Sequence, residues 1–152
     1  MIMNLNEVLT KQNLITKLVL KEGDKELPKE LKVKLMRIRM AYNKIKQSFD
    51  EEVKEFSKEL VSEEYETLAN KADKTAEEEA KYKELTDKIN LEYQEFLIQK
   101  GNEEVSCIED TLTMEEYSDI LDVNSGNNVE INGNKVSAAD LLEVIYSLFV
   151  KE

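Results

Sequence analysis

The chain of 152 residues contains no histidine and no tryptophan, and it has one cysteine, one proline and four glycines. Without histidine, a Ser-His-Asp triad, a Cys-His pair and an imidazole metal site are all excluded. The remaining acid–base and nucleophilic groups are carboxylates, lysines, tyrosines and Cys107. A lone cysteine forms no intramolecular disulfide, which fits a reducing compartment. We therefore expect no enzymatic activity, and we expect Cys107 to be a buried structural thiol.

Phosphate-binding and membrane-spanning segments are also missing from the sequence. The four glycines are isolated at positions 23, 101, 126 and 133, so there is no glycine-rich phosphate loop. Polar and charged residues interrupt the apolar residues of positions 1–20, which fits neither a signal peptide nor a membrane span. The sequence therefore predicts a cytoplasmic protein without a cofactor, a bound metal, a small-molecule ligand or a membrane contact.

The most prominent feature present is an apolar stripe in a segment that has no glycine or further proline after Pro28. Its members recur at steps of four and three residues, which predicts an amphipathic helix over residues 28–61 with coiled-coil spacing. Two successive steps of four meet at Phe49, a stutter that locally unwinds a supercoil. The stripe consists of Leu31, Leu35, Ile38, Tyr42, Ile45, Phe49, Val53, Phe56 and Leu60.

Two further helices are predicted before residue 102. Residues 5–20 follow helical spacing, although a short strand over residues 15–20 is an alternative. Thr75 and Glu78 form a capping box for a second long helix, which Gly101 ends. Residues 62–75 would join the two long helices into an antiparallel hairpin.

The last third of the chain has a mixed pattern. Residues 105–108 favour an extended segment, and Thr113 with Glu116 predicts another capped helix. The Asn132-Gly133 dipeptide between short apolar runs predicts a β-hairpin, and Ser137 caps a final helix that is apolar over most of its circumference. That final helix is expected in the core or in an oligomer interface.

These elements predict a mostly α, α+β protein. We expect an N-terminal amphipathic segment at residues 1–27 and a coiled-coil-like helical hairpin arm at residues 28–100. A small base at residues 101–152, with the β-hairpin and the C-terminal helix, would pack with the N-terminal segment.

Charge is distributed unevenly along the chain, whose net charge is −12. Residues 62–152 carry twenty-three acidic and eight basic residues, whereas residues 29–46 contain one acid, Glu30. Seven basic residues share that half-helix: Lys29, Lys32, Lys34, Arg37, Arg39, Lys44 and Lys46.

Two interpretations of this basic half-helix are open. Clustered cations could bind nucleic acid by releasing its counterions, but the acidic charge around them opposes that approach. The favoured interpretation is internal or partner-protein pairing, in which the antiparallel return helix brings acids alongside. The acids expected there are Glu92, Glu95, Glu103 and Glu104.

Candidate partner-binding residues combine helix cations, aromatic side chains and acids near the expected tip of the hairpin. Tyrosine suits an interface because its ring becomes buried while its hydroxyl stays wet. Tyr42, Tyr82 and Tyr93 also fit a core seam, which is the favoured interpretation for them. The candidates are Lys32, Arg37, Arg39, Tyr42, Phe56, Glu63, Glu64 and Tyr65.

The order of features resembles a loose group of small bacteriophage proteins. An apolar N-terminal segment precedes Leu27-Pro28, which opens a basic helix with Leu31, Leu35, Arg37 and Ile38; an acidic return helix and a compact end follow. The resemblance implies a virion or assembly accessory, or a protein that binds a host factor, and it implies no catalytic residues.

Our leading hypothesis is a non-enzymatic interaction protein that presents a helical hairpin to a virion or host protein, or to a second copy of itself. The alternative is an acidic inhibitor that mimics DNA and blocks a nucleic-acid-binding enzyme of the host. A cryptic enzyme that uses paired carboxylates is the third hypothesis.

Overall fold

The computed structural model describes residues 1–151, and it confirms a mostly helical protein with small β elements. The long helix begins where Pro28 occupies the turn that precedes it, a position at which a missing N–H costs nothing. In chain order the elements are β1 (Ile2–Asn4), α1 (Leu5–Ile15), β2 (Lys21–Glu22), β3 (Lys25–Glu26), α2 (Lys29–Leu60), α3 (Glu63–Ala69), α4 (Ala76–Gly101), β4 (Glu104–Ser106), α5 (Met114–Asn124), β5 (Val129–Ile131), β6 (Asn134–Val136) and α6 (Ala138–Phe149).

The chain divides into two compact units, and the division falls within α2. Met1–Lys46 and the chain from Glu104 onward form the first, which we call the core unit. Gln47–Glu103 form the second, which we call the hairpin unit. The long helix therefore belongs to both units, whereas the sequence placed all of residues 28–100 in one arm.

The predicted helix over residues 5–20 is too long. Helix α1 ends at Ile15, and the Thr16 hydroxyl donates to the carbonyl of Gln12 at 2.9 Å, which closes the last turn. The alternative strand over residues 15–20 is also absent from the described structure, where β2 begins only at Lys21. Strands β2 and β3 form a small hairpin, and Gly23 turns it with a φ of +58°.

Two other strand pairs hold the core unit together. The β-hairpin predicted around Asn132-Gly133 is confirmed, and both turn residues adopt positive φ, at 51° and 79°. Strand β1 pairs antiparallel with β4, with Met3 opposite Val105. The sequence predicted an extended segment at β4 but not its pairing with the first residues of the chain.

The hydrophobic interior of the core unit is formed by the apolar faces of α1, α5 and α6 and of the first half of α2. Helix α6 supplies five buried residues. Of the two locations expected for this helix, the core or an oligomer interface, its buried face therefore lies in the core. The largest fully buried apolar and aromatic side chains are Val8, Ile15, Leu35, Ile38, Tyr42, Leu112, Ile120, Leu141, Ile145 and Phe149.

The hairpin unit has a much thinner apolar seam. Helix α4 returns antiparallel to α2, since Phe96 stacks on Phe56 and the Lys100 ammonium lies 2.5 Å from the Glu52 carboxylate. The predicted capping box of Thr75 and Glu78 is present at the start of α4. Within residues 47–103, Leu68 is the only large apolar side chain that is buried. The other seam residues remain half-buried.

Candidate partner-binding surfaces

The outer face of the first half of α2 carries an exposed apolar stripe. Leu31, Leu35 and Ile38 point into the core, so the residues on the opposite side of the helix face solvent. That side holds Val33, Met36 and Met40, which are 42%, 49% and 69% exposed. We call this surface, together with the cations beside it, the α2 outer face.

The cations of the α2 outer face are unpaired. Lys29, Arg37 and Lys44 are exposed, and none makes a side-chain hydrogen bond or ion pair with residues 1–151. No acid of the described chain neutralises them, so their charge is available to a second molecule. Of the predicted candidates, Arg37 therefore lies on a free surface.

Two other cations of α2 have partners within the core unit. Lys32 forms an ion pair with Glu26, and the Lys34 ammonium lies 2.7 Å from the Glu116 carboxylate. Burial acts to raise the pKa of Glu116, but hydrogen bonds from Lys34 and the Thr113 backbone outweigh it, so that pKa lies below its ordinary value.

The predicted pairing of the basic half-helix with the acids of the return helix is wrong for these residues. Lys32 and Lys34 pair with acids of β3 and α5. The return helix instead runs beside the second half of α2, where Glu52 and Glu103 both pair with Lys100. The hairpin register is therefore set around Phe56, beyond the basic residues.

Arg39 and Tyr42 are not available to a partner, which corrects their prediction as binding residues. Arg39 is half-buried, and its guanidinium donates to the backbone carbonyls of Ile15, at 3.2 Å, and Leu18. Burial lowers the pKa of Arg39 below its ordinary value. Tyr42 is fully buried, so the favoured interpretation of this tyrosine as a core residue is confirmed.

The core unit contains a buried polar cluster that the sequence did not predict. Asp110 is 1% exposed; its carboxylate accepts a hydrogen bond from the Tyr42 hydroxyl and lies 2.7 Å from the Lys11 ammonium. Lys11 also lies 5.0 Å from the centroid of the Phe149 ring. Burial, together with the bond to Asp110, raises the pKa of Tyr42 well above its usual range. Four residues distant in sequence meet here, and no local pattern marks them.

Cys107 lies close to this cluster but is only half-buried, so the expectation of a buried thiol needs correction. Its backbone N–H donates to the carbonyl of Met1 at 2.7 Å, which extends the pairing of β1 with β4. Burial, reinforced by the charge of Asp110, raises the pKa of the Cys107 thiol. A raised pKa disfavours the thiolate, the reactive form of cysteine.

The aromatic candidates of the hairpin unit stack within that unit. Phe56 lies 4.0 Å from Phe96 between ring centroids, and Tyr65 lies 5.4 Å from Tyr82. Both candidate rings are half-buried, so each uses one face internally and keeps part of its surface exposed. Their first role is to hold α2 and α3 against α4.

The acidic candidates lie at the start of α3. Glu63 and Glu64 are exposed and line an open surface depression together with Glu77 and Glu78 from the first turn of α4. Lys71 forms an ion pair with Glu78, and this hydrogen bond is the main cause of the lowered pKa of Glu78. The depression is therefore anionic and largely open to solvent.

An exposed apolar pair on α4 was not among the predicted candidates. Leu91 and Ile98 are 58% and 65% exposed, and they lie on the side of α4 that faces away from Phe96 and Tyr82. Helical spacing of seven residues places them two turns apart on one face. The sequence contains this seven-residue spacing, but the apolar residues on the other side of α4 form a longer and more regular pattern.

None of the helices within residues 1–151 is both long and apolar enough to cross a membrane. In the same residues, no three acid or cysteine side chains gather as ligands for a metal ion. No protein-family model, curated protein or solved structure matches the chain.

Proposed function

We propose that the protein is a non-enzymatic interaction module whose α2 outer face binds an acidic segment of a protein partner. The observation that carries this proposal is the coincidence of exposed Val33, Met36 and Met40 with the unpaired cations Arg37 and Lys44. Exposing an apolar strip of this kind to water is unfavourable, so burying it against a partner lowers the free energy, and methionine adapts to many partner shapes.

Charge identifies the kind of partner that fits this face. Its cations would be drawn to carboxylates, and the apolar strip would bury the hydrophobic side of an amphipathic helix. A second copy of α2 does not fit, because antiparallel pairing about the middle of the strip brings Lys29 of one copy to Lys44 of the other. The partner is therefore a different chain with an acidic, amphipathic helix.

The resemblance to small bacteriophage proteins supports a virion or host protein as this partner. A virion or assembly accessory works by holding another protein, which needs an exposed face on a rigid support. The α2 outer face meets that need, since the opposite side of the same helix turns is anchored by Leu35, Ile38 and Tyr42 in the core.

Photo-crosslinking in the native source tests the proposal. A photoreactive amino acid at Met40 is expected to capture an acidic protein, whereas the same group at Glu143, exposed on α6, is the matched control. The captured protein is then purified and its affinity measured by calorimetry. We expect Arg37→Glu with Lys44→Glu to weaken binding by at least about tenfold and added salt to weaken it further.

Two results would count against the proposal. One is equal capture from positions 40 and 143. The other is unchanged affinity when Arg37 and Lys44 are reversed in charge, while circular dichroism shows that the variant keeps its helix content. Because both side chains are exposed, the reversal should leave the fold intact.

A second candidate function, inhibition by DNA mimicry, is favoured by the charge of the hairpin unit. Residues 47–103 carry seventeen acidic and eight basic residues, and Glu63 and Glu64 are exposed at the rim of the anionic depression. Such a surface could occupy the basic groove of a nucleic-acid enzyme. The test is competition with DNA, which must weaken steeply as salt rises; competition that is insensitive to salt would contradict this candidate.

A further inference from the structure

We propose that two copies of this protein associate through the exposed side of α4, with the two helices antiparallel and a two-fold axis passing close to Leu91. Leu91 and Ile98 are the two most exposed large apolar side chains of residues 47–103. We call their side of the helix the α4 outer face. This inference is independent of the α2 outer face and of the partner proposed for it.

One flank of the α4 outer face is complementary to itself. Lys88 precedes Leu91 by three residues and Glu95 follows it by four, so they lie about 4.5 Å and 6 Å along the helix axis on either side of Leu91. At about 100° per residue, both project from the same side of the face. A two-fold axis at Leu91 therefore brings Lys88 of each copy opposite Glu95 of the other.

The opposite flank is complementary as well. Asp87 precedes Leu91 by four residues and Gln94 follows it by three, and both project from the second side of the face. The same axis places the Gln94 amide of one copy opposite the Asp87 carboxylate of the other, where it can donate a hydrogen bond. Within residues 1–151, none of these four side chains makes an ion pair or a side-chain hydrogen bond.

Charge also selects this axis over its nearest alternative. An axis midway between Leu91 and Ile98 would put the two apolar residues together, but it would place Glu95 opposite Glu95 of the second copy. Like charges at such a contact are unfavourable, whereas the axis at Leu91 forms two opposite-charge pairs. The self-complementary charges around Leu91 thus identify a second copy as the occupant of this part of the α4 outer face, and Ile98 of each copy then lies opposite Glu84 of the other.

The contact is small, so the expected dimer is weak. Residues 84–98 span about 21 Å of helix, and one helix face of this length buries less than the roughly 1,200 Å² of a stable standard interface. We expect a dissociation constant of about 100 μM. Association should therefore appear only at high protein concentration.

Sedimentation equilibrium of the full chain, from about 10 μM to about 1 mM, tests the proposal. Lys88→Glu and Glu95→Lys are each expected to weaken dimerisation at least about fivefold, because each creates like-charge contacts. The double variant restores opposite charges and should return to within about threefold of the wild type. An equimolar mixture of the two single variants should form a heterodimer. Lys135→Glu, an exposed change on β6, is the control and should dimerise like the wild type.

General charge repulsion gives a different result from specific pairing. The chain carries a net charge of −12, so Glu95→Lys reduces overall repulsion between copies and would strengthen a non-specific association. Specific pairing at the α4 outer face requires it to weaken the dimer.

Three results would overturn the proposal: a wild type that stays monomeric at about 1 mM, single variants that dimerise as well as the wild type, or a double variant that does not recover. Helix content from circular dichroism verifies that each variant is folded. The partner experiment on the α2 outer face has a separate readout, so failure of either proposal leaves the other to be judged on its own data.

Discussion

The two halves of helix α2 carry the same apolar stripe but use it differently. In the core unit, Leu31, Leu35, Ile38 and Tyr42 are at most 3% exposed. In the hairpin unit, Val53, Phe56 and Leu60 continue the spacing but remain half-buried. One sequence pattern therefore yields a closed core in one place and a thin seam in another.

The difference comes from the number of elements that surround each half. In the core unit, side chains from α1, α5 and α6 join those of α2 in one cluster. In the hairpin unit, α3 and α4 supply the partners, and a bundle so small leaves the seam residues other than Leu68 partly exposed. Periodicity thus tells which side of a helix is apolar, while the surrounding topology decides how deeply that side is buried.

The largest expected contrast concerns ion pairs. Asp110→Ala removes a buried carboxylate and leaves Lys11 without its partner, which should cost about 4 kcal/mol of unfolding free energy. Glu84→Ala in the hairpin unit removes an exposed pair with Lys81 and should cost less than about 0.5 kcal/mol. Urea denaturation followed by circular dichroism measures both, and equal costs would break the contrast between the two units.

The next contrast concerns apolar truncation along α2 itself. Leu35→Ala leaves a cavity in the core unit and is expected to cost about 3 kcal/mol. Leu60→Ala removes a half-buried side chain, so it should cost about 1 kcal/mol. The same urea experiment compares them. A larger loss at Leu60 than at Leu35 would show that the hairpin seam is the more important contact.

A smaller effect is expected from tyrosine hydroxyls. Tyr42→Phe removes the hydrogen bond to Asp110 but leaves the ion pair with Lys11, so the expected cost is about 1.5 kcal/mol. Tyr93→Phe in the hairpin unit removes a hydroxyl without a side-chain partner in the described chain and should change stability by less than about 0.5 kcal/mol. Thermal unfolding of the two variants, side by side, measures the difference.

The smallest effect concerns pH. The folded-state pKa of Glu116 lies below the ordinary value, so its stabilising contribution is present above about pH 4.3 and is lost as pH falls through the folded-state pKa. Glu116→Gln keeps the capping box and loses the charge, and it should cost about 0.5 kcal/mol at pH 7.

The pH dependence of that cost is the critical readout. The difference between wild type and Glu116→Gln should disappear in strong acid, where the wild-type carboxyl is protonated. Glu115→Gln, on the same first turn but without an ion pair in the described residues, is the control and should show little loss at either pH. A loss for Glu116→Gln that persists unchanged in strong acid would contradict the role of its charge.

Local signals predicted most of the secondary structure. The capping boxes at Thr75 and Thr113, the Asn132-Gly133 turn and the long helix are confirmed because each depends on residues close together in sequence. The pairing of β1 with β4 joins residues about one hundred positions apart. Only tertiary contact determines such a pairing, so the sequence did not reveal it.

The candidate surface was predictable only in part. Cation clustering on α2 was evident, and it correctly marked Arg37 as exposed, but it could not tell that Arg39 binds backbone carbonyls or that Tyr42 bonds a buried acid. Those contacts depend on where α1 and the segment before α5 lie. The exposure of Met36 and Met40 follows from the burial of the opposite side of α2 in the core, which the sequence pattern alone does not establish.

Native-state hydrogen exchange along α2 tests the central claim that one helix serves as core in its first half and as a thin seam in its second. The amides of residues 31–45 are expected to open only with global unfolding, whereas those of residues 50–60 should open at a free energy lower by at least about 2 kcal/mol. Uniform protection from Leu31 to Leu60 would contradict the account, because it would show that both halves of the helix are equally anchored.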